Sequence, residues 1–228
     1  MTRTQETQRA ELEASLARHV AAGDIAARDR TAHALATTYG AAVLPALLRA
    51  LVTDRNDDGE TLQLDVLQLF EAAPDVAHAR VLECLAAAEP GLRRVGVWGL
   101  SVMFRAGDIA LVVAAADDPA AEVRAEVVGA LGSAFGGSDP RVEPVVMAGA
   151  RDPDAEVRCA AVMALWSMYG PAATAMLVTC AGDPDPRVRH WVAWALQNRT
   201  EPTARAALER LAADDNDEVR FAARGETA

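Results

Sequence analysis

A repeat of 31 to 34 residues constrains the fold of this chain more than any other feature of its sequence. Each clear copy begins with an Asp, continues to a Val-Arg pair and then runs through small and apolar residues. The valines of this pair in four copies, Val123, Val157, Val188 and Val219, are 34, 31 and 31 residues apart. Such a period is the signature of repeat architectures, in which a unit buries its apolar face only by stacking on its neighbours.

The signature fades toward the N-terminus, while the helical spacing of apolar residues continues. Steps of the same size lead from Val123 to Leu92-Arg93, then to Thr61-Leu62, and finally to Ala27-Arg28. We expect these three pairs to occupy the Val-Arg position in the first three copies.

Each copy predicts two helices. Apolar residues follow the Val-Arg pair at a spacing that places Val157, Ala161, Ala164 and Leu165 on one helical face. The Asp-Pro start supplies an N-cap oxygen and a proline that the first turn tolerates. Hydrophobic residues make up 51% of the chain but aromatic residues only 4%, so alanine dominates and the helices must approach closely.

The predicted fold class is therefore all-α: a right-handed α-solenoid of about seven helical hairpins. We expect a single repeat domain over 1–228. Its approximate repeats are 1–39, 40–73, 74–105, 106–136, 137–170, 171–199 and 200–228.

This pattern resembles the HEAT family, particularly the short bacterial HEAT-like units also seen in phycobilin lyases. In HEAT units an Asp in the hairpin turn and an Arg six residues later form a ladder between neighbouring repeats. The resemblance implies a structural ladder of Asp118, Arg124, Asp152, Arg158, Asp183, Arg189, Asp214 and Arg220. A buried Asp must be satisfied, and a guanidinium supplies a forked set of donors. On this basis Arg158→Ala is expected to leave Asp152 poorly paired.

The resemblance also implies that the Val-Arg helices line the concave face of the solenoid. The positions on these helices that ordinary surfaces fill with polar residues carry several large apolar ones instead, which open surfaces avoid unless they contact something. The candidate partner-binding residues are Trp98, Met163, Trp166, Trp191, Trp194, His190 and Arg94. Tryptophan is favoured at interface hot spots. Packing of these tryptophans between adjacent helices remains the alternative, and Gly129 and Gly132 are predicted to leave a pocket among them.

The net negative charge limits the kinds of partner that this chain is expected to bind. A formal net charge of −11 argues against non-specific nucleic-acid binding and favours a partner with basic residues around an apolar centre. Three cysteines without CxxC spacing indicate a reducing cytoplasm. The resemblance to short bacterial HEAT-like units implies a bacterial source. The N-terminus is polar, and no apolar run is expected to reach the roughly 18–20 residues that cross a bilayer.

Signatures of chemistry are weak. Four histidines occur without an HExxH arrangement, and no nucleophile elbow or phosphate loop is present, so we expect no metal, cofactor or catalytic residue.

The predicted function is a non-catalytic scaffold or adaptor whose tryptophan-rich groove binds a protein segment or a hydrophobic or aromatic ligand. One alternative is a HEAT-like alkylpurine DNA glycosylase, with Trp194 in the site and Arg94 and Glu126 supplying charge. Another is a chromophore lyase or assembly chaperone, by resemblance to phycobilin lyases.

Overall fold

The computed structural model describes residues 2–53, 60–134 and 139–225 of the chain. The described residues are helical, with no strand among them, and they form stacked helical hairpins. The predicted all-α solenoid class is therefore confirmed. Contacts divide the chain into two compact units, Met1–Met103 and Phe104–Ala228, which we call the N-terminal and C-terminal units. The expected single domain and its seven repeat boundaries stay predictions.

The N-terminal unit begins with a long polar helix that packs on the next helices in the chain. Its first turn is closed by a capping box between Thr2 and Gln5, and it ends at Gly23 in the left-handed conformation. The helices of this unit are α1 (Arg3–Ala22), α2 (Ile25–Tyr39), α3 (Leu44–Ala50), α4 (Glu60–Ala72), α5 (Pro74–Leu85) and α6 (Pro90–Met103). Helices α2 and α4 pack together, as do α5 and α6.

The C-terminal unit contains the clear copies of the repeat. Helices α8, α10, α12 and α14 carry the Val-Arg pairs and pack on one another in chain order, so we call them the Val-Arg layer. The helices of this unit are α7 (Ile109–Ala114), α8 (Ala121–Ser133), α9 (Val142–Gly149), α10 (Ala155–Ser167), α11 (Pro171–Cys180), α12 (Pro186–Leu196), α13 (Pro202–Leu211) and α14 (Asp217–Arg224).

The N-caps of the Val-Arg layer differ from the prediction. Helices α10 and α12 are capped by Asp154 and Asp185, whose side chains accept from backbone N–H groups two residues later. The first Asp of each motif lies two residues earlier, and Asp152 and Asp183 accept the N–H groups of these capping residues. In these two helices the first Asp therefore shapes the turn and a second Asp caps the helix, whereas the N-cap position of α8 is Ala120, which provides no side-chain cap.

Close helix approach explains the small side chains. A Cβ atom added to Gly132 would lie 2.4 Å from the Cβ of Ala164, so α8 and α10 touch at this point. The predicted pocket at Gly132 is therefore wrong, because the facing helix occupies that space. A Cβ atom at Gly129 would meet nothing within 4 Å, so the surface beside it is open.

In the first two copies the register is one residue later than predicted, whereas Leu92 of the third copy is buried as predicted. Thr61 is exposed whereas Leu62 is fully buried, and Arg28 is 6% exposed. Leu62 and Arg28 occupy the position that Val157 fills in the C-terminal unit, because the residues four positions after them, Val66 and Ala32, are fully buried as Ala161 is. The error arose because only the spacing, without the Val-Arg signature, fixed the alignment there.

One apolar stretch exceeds the expected length. Ile25–Ala50 is a helical run of 26 residues that is long and apolar enough to cross a membrane by length and composition alone. The sequence prediction that no run reaches this length was wrong. The run includes α2, a 3-10 turn at Gly40–Val43 and α3, and its helices pack on α1 and α4.

Candidate functional site

Three arginines of the Val-Arg layer each bind the carboxylate of the Asp in the following repeat. Arg158 donates from Nε to Asp183 Oδ2 at 2.7 Å and from Nη2 to Asp183 Oδ1 at 2.8 Å. The same two-bond fork joins Arg124 to Asp152 and Arg189 to Asp214, with each bond at 2.8 Å. These side chains are largely buried, which makes the paired geometry a strong constraint on the spacing between repeats.

The third guanidinium nitrogen points back to its own repeat. Nη1 of Arg158 donates to the carbonyl oxygens of Asp152 and Pro153, at 3.0 Å each. The carboxylate of Asp152 is instead bound by Arg124 of the preceding repeat. The prediction that Arg158→Ala leaves Asp152 poorly paired is therefore wrong, because the unpaired carboxylate would be that of Asp183.

The fork favours the ionised form of two ladder carboxylates, Asp152 and Asp214. The hydrogen bond from Arg124 lowers the pKa of Asp152, and the bond from Arg189 lowers the pKa of Asp214 to about 2. Both carboxylates thus carry charge at neutral pH, as the pairing requires.

A second group of predicted residues forms an exposed apolar surface in the C-terminal unit. Met163 and Trp166 project from α10, and Trp191 and Trp194 project from α12; we call these four residues the tryptophan face. Met163, Trp166 and Trp194 are 50%, 38% and 41% exposed, while Trp191 is half-buried. The rings of Trp166 and Trp194 lie 4.7 Å apart between centroids, and Trp191 meets Trp194 edge-on at 6.2 Å. The face is therefore continuous across two repeats.

Local packing fixes the orientation of this face. Leu165 and Leu196 are fully buried next to the exposed residues, so each helix is anchored by its opposite side. His190 lies edge-on to Trp191 at 5.5 Å, and its Nδ1 is 3.3 Å from the carbonyl oxygen of Glu218 on α14. His190 thus borders the tryptophan face and links α12 to α14.

Arg199 is a supporting residue that the sequence did not indicate. Its side chain is buried, and Nη2 donates to the carbonyl oxygens of Leu165, Trp166 and Met168 at 2.7 to 3.2 Å. The guanidinium also lies 4.8 Å from the ring centroid of Tyr169. It therefore holds the C-terminal end of α10, from which Trp166 projects. No local motif signals this role, because the bonded carbonyls are more than thirty residues away in the chain.

The other two predicted residues lie in the N-terminal unit. Trp98 is half-buried, and its ring centroid is 6.0 Å from that of Phe70. Arg94 donates from Nη2 to the carbonyl oxygens of Leu51 and Val52, at 3.0 and 3.2 Å. The guanidinium of Arg94 thus satisfies backbone groups at the end of α3.

The described residues offer little support for catalysis. Burial raises the pKa of the Cys159 thiol to about 11, so it is protonated at neutral pH and a poor nucleophile. Among the described residues, no cluster of three or more His, Cys, Asp or Glu side chains could hold a metal ion.

Comparisons with known proteins agree with this architecture. Residues 142–226 match the family model for HEAT repeats. The Escherichia coli protein YibA has a similar solved structure, with a TM-score of 0.60 and 22% identity over 78% of this chain and 67% of YibA. An engineered protein matches with a TM-score of 0.52 and 18% identity, over 79% of this chain and 93% of its own. No curated protein sequence matches this chain.

These similarities define the class. Identities this low establish the fold alone, while the family match covers much of the C-terminal unit. Residues 142–226 are similar to HEAT repeats, and the described residues have the fold of a helical-repeat protein, a class whose members commonly mediate protein interactions. The finer resemblance to repeats of the phycobilin-lyase type stays a prediction.

Proposed function

We propose that this protein is a non-catalytic adaptor of the cytoplasm, and that its tryptophan face binds an apolar segment of a protein partner. The observation that carries the proposal is the exposure of Met163, Trp166 and Trp194 on two adjacent helices. Water contact with a continuous apolar surface is unfavourable, and such surfaces mark interaction sites. Tryptophans supply large contact areas and dominate interface hot spots.

Charge supports a particular kind of partner. The chain carries a net charge of −11, which favours the approach of a segment with basic residues flanking its apolar centre. The DNA glycosylase and chromophore-lyase alternatives stay predictions, since no contact among the described residues favours either one over a protein partner.

A peptide-selection experiment tests the proposal. The chain contains no lysine, so an amine-reactive biotin reagent labels only its terminal amine and leaves every side chain of the tryptophan face unmodified. Peptides selected from a random display library on this immobilised protein would be synthesised and titrated in solution. We expect Trp166→Ala/Trp194→Ala to weaken their binding by at least about 30-fold, the effect of losing one hot spot.

The matched control is Leu111→Ala, which removes an apolar side chain that is 40% exposed on α7 of the same unit. This variant should bind the peptides like the wild type. Selected peptides whose affinity survives the double substitution would count against the tryptophan face as the binding site.

Stability separates binding from packing. Leu196 is fully buried, and Leu196→Ala should cost about 2–5 kcal/mol of the free energy of unfolding. Trp194→Ala, two residues earlier on the same helix, should cost less than half as much, because the Trp194 side chain is 41% exposed. Equal losses would show that Trp194 is a core residue, and the proposal would fail.

A further inference from the structure

Met163 is the most exposed member of the tryptophan face. It is 50% exposed, and Trp166 follows it by three residues, so the two side chains are neighbours on one side of α10. The four other methionines that the structure describes are half-buried or buried: Met103, Met147, Met168 and Met176. A reagent dissolved in water therefore reaches the thioether of Met163 more easily than it reaches these four.

Contacts on either side place Met163 of α10 opposite Trp191 of α12. Three residues further along both helices, two tryptophan rings meet at 4.7 Å between centroids. Four residues back on both helices, Arg187 interacts electrostatically with the Cys159 thiol. Because the intervals are equal on the two helices, Met163 and Trp191 lie at the same level between these contacts. The thioether is thus bordered by tryptophans on its own helix and on the next one.

Protonation distinguishes this thioether from the thiols of the chain. A thiol reacts with peroxides as the thiolate, whereas a thioether has no proton to lose. Burial raises the pKa of the Cys159 thiol to about 11. At neutral pH only about one Cys159 side chain in ten thousand is then a thiolate. Cys84 and Cys180 are buried. Hydrogen peroxide therefore oxidises Met163 ahead of the three cysteines.

Oxidation changes the chemical character of the tryptophan face. A sulfoxide is polar where the thioether is apolar, and it lies among the tryptophan rings. A partner that packs apolar side chains on this face would separate the sulfoxide oxygen from water. That separation is unfavourable unless a hydrogen-bond donor of the partner replaces the water.

We propose that Met163 is a site of reversible oxidation, at which a peroxide converts the tryptophan face from a form that binds its partner into a form that releases it. This inference rests on the proposed function, because it concerns the regulation of the same surface.

The reaction transfers one oxygen atom to sulfur. The Met163 sulfur attacks one oxygen of hydrogen peroxide, and the O–O bond breaks as the S–O bond forms. The hydroxide that leaves takes up the proton of the transferred oxygen and becomes water. The sulfur is oxidised from thioether to sulfoxide, and the peroxide is reduced. Methionine sulfoxide reductases catalyse the return to the thioether, with one enzyme for each sulfoxide epimer.

Mass spectrometry of the full chain tests the site of oxidation. We expect limited treatment with hydrogen peroxide at neutral pH to add one oxygen atom to Met163 before it adds one to Met103, Met147 or Met168. Oxidation of any of these three ahead of Met163 would overturn the proposal.

NMR of the tryptophan side chains tests the position of the sulfoxide without any partner. As Met163 is oxidised, the indole N–H resonances of Trp166 and Trp191 should shift, and that of Trp98 in the N-terminal unit should stay in place. Unchanged resonances of Trp166 and Trp191 would contradict the placement of Met163 between them.

The peptides selected on the immobilised protein measure the effect on binding. We expect oxidation of Met163 to weaken them by at least about fivefold, the effect of one buried polar group without a hydrogen bond. Treatment with both methionine sulfoxide reductases should restore the affinity. Each variant is compared with itself before and after peroxide. The loss should disappear in Met163→Leu and remain in Met147→Leu, which removes a half-buried methionine from α9.

The outcomes separate this inference from the proposed function. Peptides that keep their affinity after Met163 is oxidised, but lose it in Trp166→Ala/Trp194→Ala, would overturn the regulatory site and leave the proposed function standing. A loss on oxidation that persists in Met163→Leu would also overturn it. Peptides that bind Trp166→Ala/Trp194→Ala like the wild type would overturn the proposed function, and the regulation of binding with it.

Discussion

The two units use the same helical hairpins but hold them with different polar contacts. In the C-terminal unit one contact recurs, the two-bond fork from an arginine to the Asp of the next repeat, as between Arg158 and Asp183. In the N-terminal unit the described polar contacts are of several kinds. Arg94 donates to carbonyl oxygens, and Arg49 and Glu89 form a surface ion pair at 2.8 Å.

This difference explains why the two units look unlike each other in sequence. Apolar stacking requires only hydrophobic side chains at a helical spacing, which many sequences supply. A repeated ionic fork requires one Asp and one Arg at fixed positions. The family match to residues 142–226 accordingly falls within the C-terminal unit, while hairpins form in both. The Asp–Arg ladder therefore makes the repeat recognisable in the sequence, whereas the apolar core is what stabilises the helical hairpins in both units.

The largest predicted effect should be the same in both units, because it concerns the core. Val157 of α10 is 1% exposed and Val66 of α4 is fully buried. Val157→Asp and Val66→Asp should each reduce the free energy of unfolding by at least about 4 kcal/mol, since each buries a carboxylate without a partner. Urea unfolding followed by far-UV circular dichroism measures both.

The isosteric controls are Val157→Thr and Val66→Thr, which bury a hydroxyl instead of a charge and should cost roughly 1–3 kcal/mol. If Val66→Asp left the free energy of unfolding unchanged, the N-terminal unit would not be stabilised by an apolar core of the same kind. The premise that both units share such a core would then be wrong.

The next largest effect, the loss of an ion pair, should differ between the two units. Arg158→Ala removes the fork to Asp183 and leaves that carboxylate, whose side chain is 7% exposed, without its partner. We expect a loss of about 2–4 kcal/mol of unfolding free energy. Arg49→Ala breaks an ion pair whose side chains are 62% and 46% exposed, and should cost at most about 1 kcal/mol.

A double-mutant cycle with Asp183→Asn checks the assignment. The coupling energy between Arg158 and Asp183 should exceed that between Arg158 and Asp152, because only the former are joined through both side chains. The opposite order would restore the pairing first expected from the sequence.

The fold class and the residues of the ladder could be predicted from the sequence. The contacts and burial of individual residues could not. The spacing of Asp and Arg, together with the HEAT resemblance, indicated the ladder residues. Spacing within one repeat could not say that Arg158 reaches forward to Asp183, since that depends on how the next hairpin stacks. Helical phase likewise predicted an open Gly129 but missed that Gly132 is covered by Ala164. The contacts of Arg199 arise from long-range packing, which leaves no local pattern.

Acid should weaken the C-terminal unit through its ladder. The pKa of Asp214 is lowered to about 2 by its hydrogen bonds from Arg189, and the pKa of Asp152 is lowered by Arg124. A carboxylate whose pKa is lower in the folded state stabilises that state above its unfolded pKa, near 3.9, and loses the contribution as pH falls through the folded value. Stability should therefore decline between about pH 4 and about pH 2.

The measurement is the urea midpoint from tryptophan emission at a series of pH values, since Trp166, Trp191 and Trp194 lie in the C-terminal unit. Arg189→Ala is the control: it removes the cause of the low pKa of Asp214, so its stability should depend less on pH in this window. An identical pH profile for the variant and the wild type would show that Asp214 does not contribute.

The smallest effect concerns the buried carboxylate of the N-terminal unit. Asp65 on α4 is 4% exposed, and its Oδ1 lies 2.9 Å from Nδ1 of His33, whose side chain is 59% exposed. Its Oδ2 has no hydrogen-bond partner among the residues that the structure describes. A buried carboxylate satisfied on one side only contributes little net stability. Asp65→Leu should therefore change the free energy of unfolding by less than about 1 kcal/mol.

The matched substitution in the ladder is Asp183→Leu, which strands the forked guanidinium of Arg158 and should cost several times more. His33→Ala adds a diagnostic, because removing the imidazole alone leaves Asp65 buried without that partner, while His33→Ala combined with Asp65→Leu should recover most of the loss. If Asp65→Leu proved as costly as Asp183→Leu, the N-terminal unit would depend on a polar pair as strongly as the C-terminal unit does. The two units would then differ in their sequence patterns but not in how strongly polar pairs contribute to their stability.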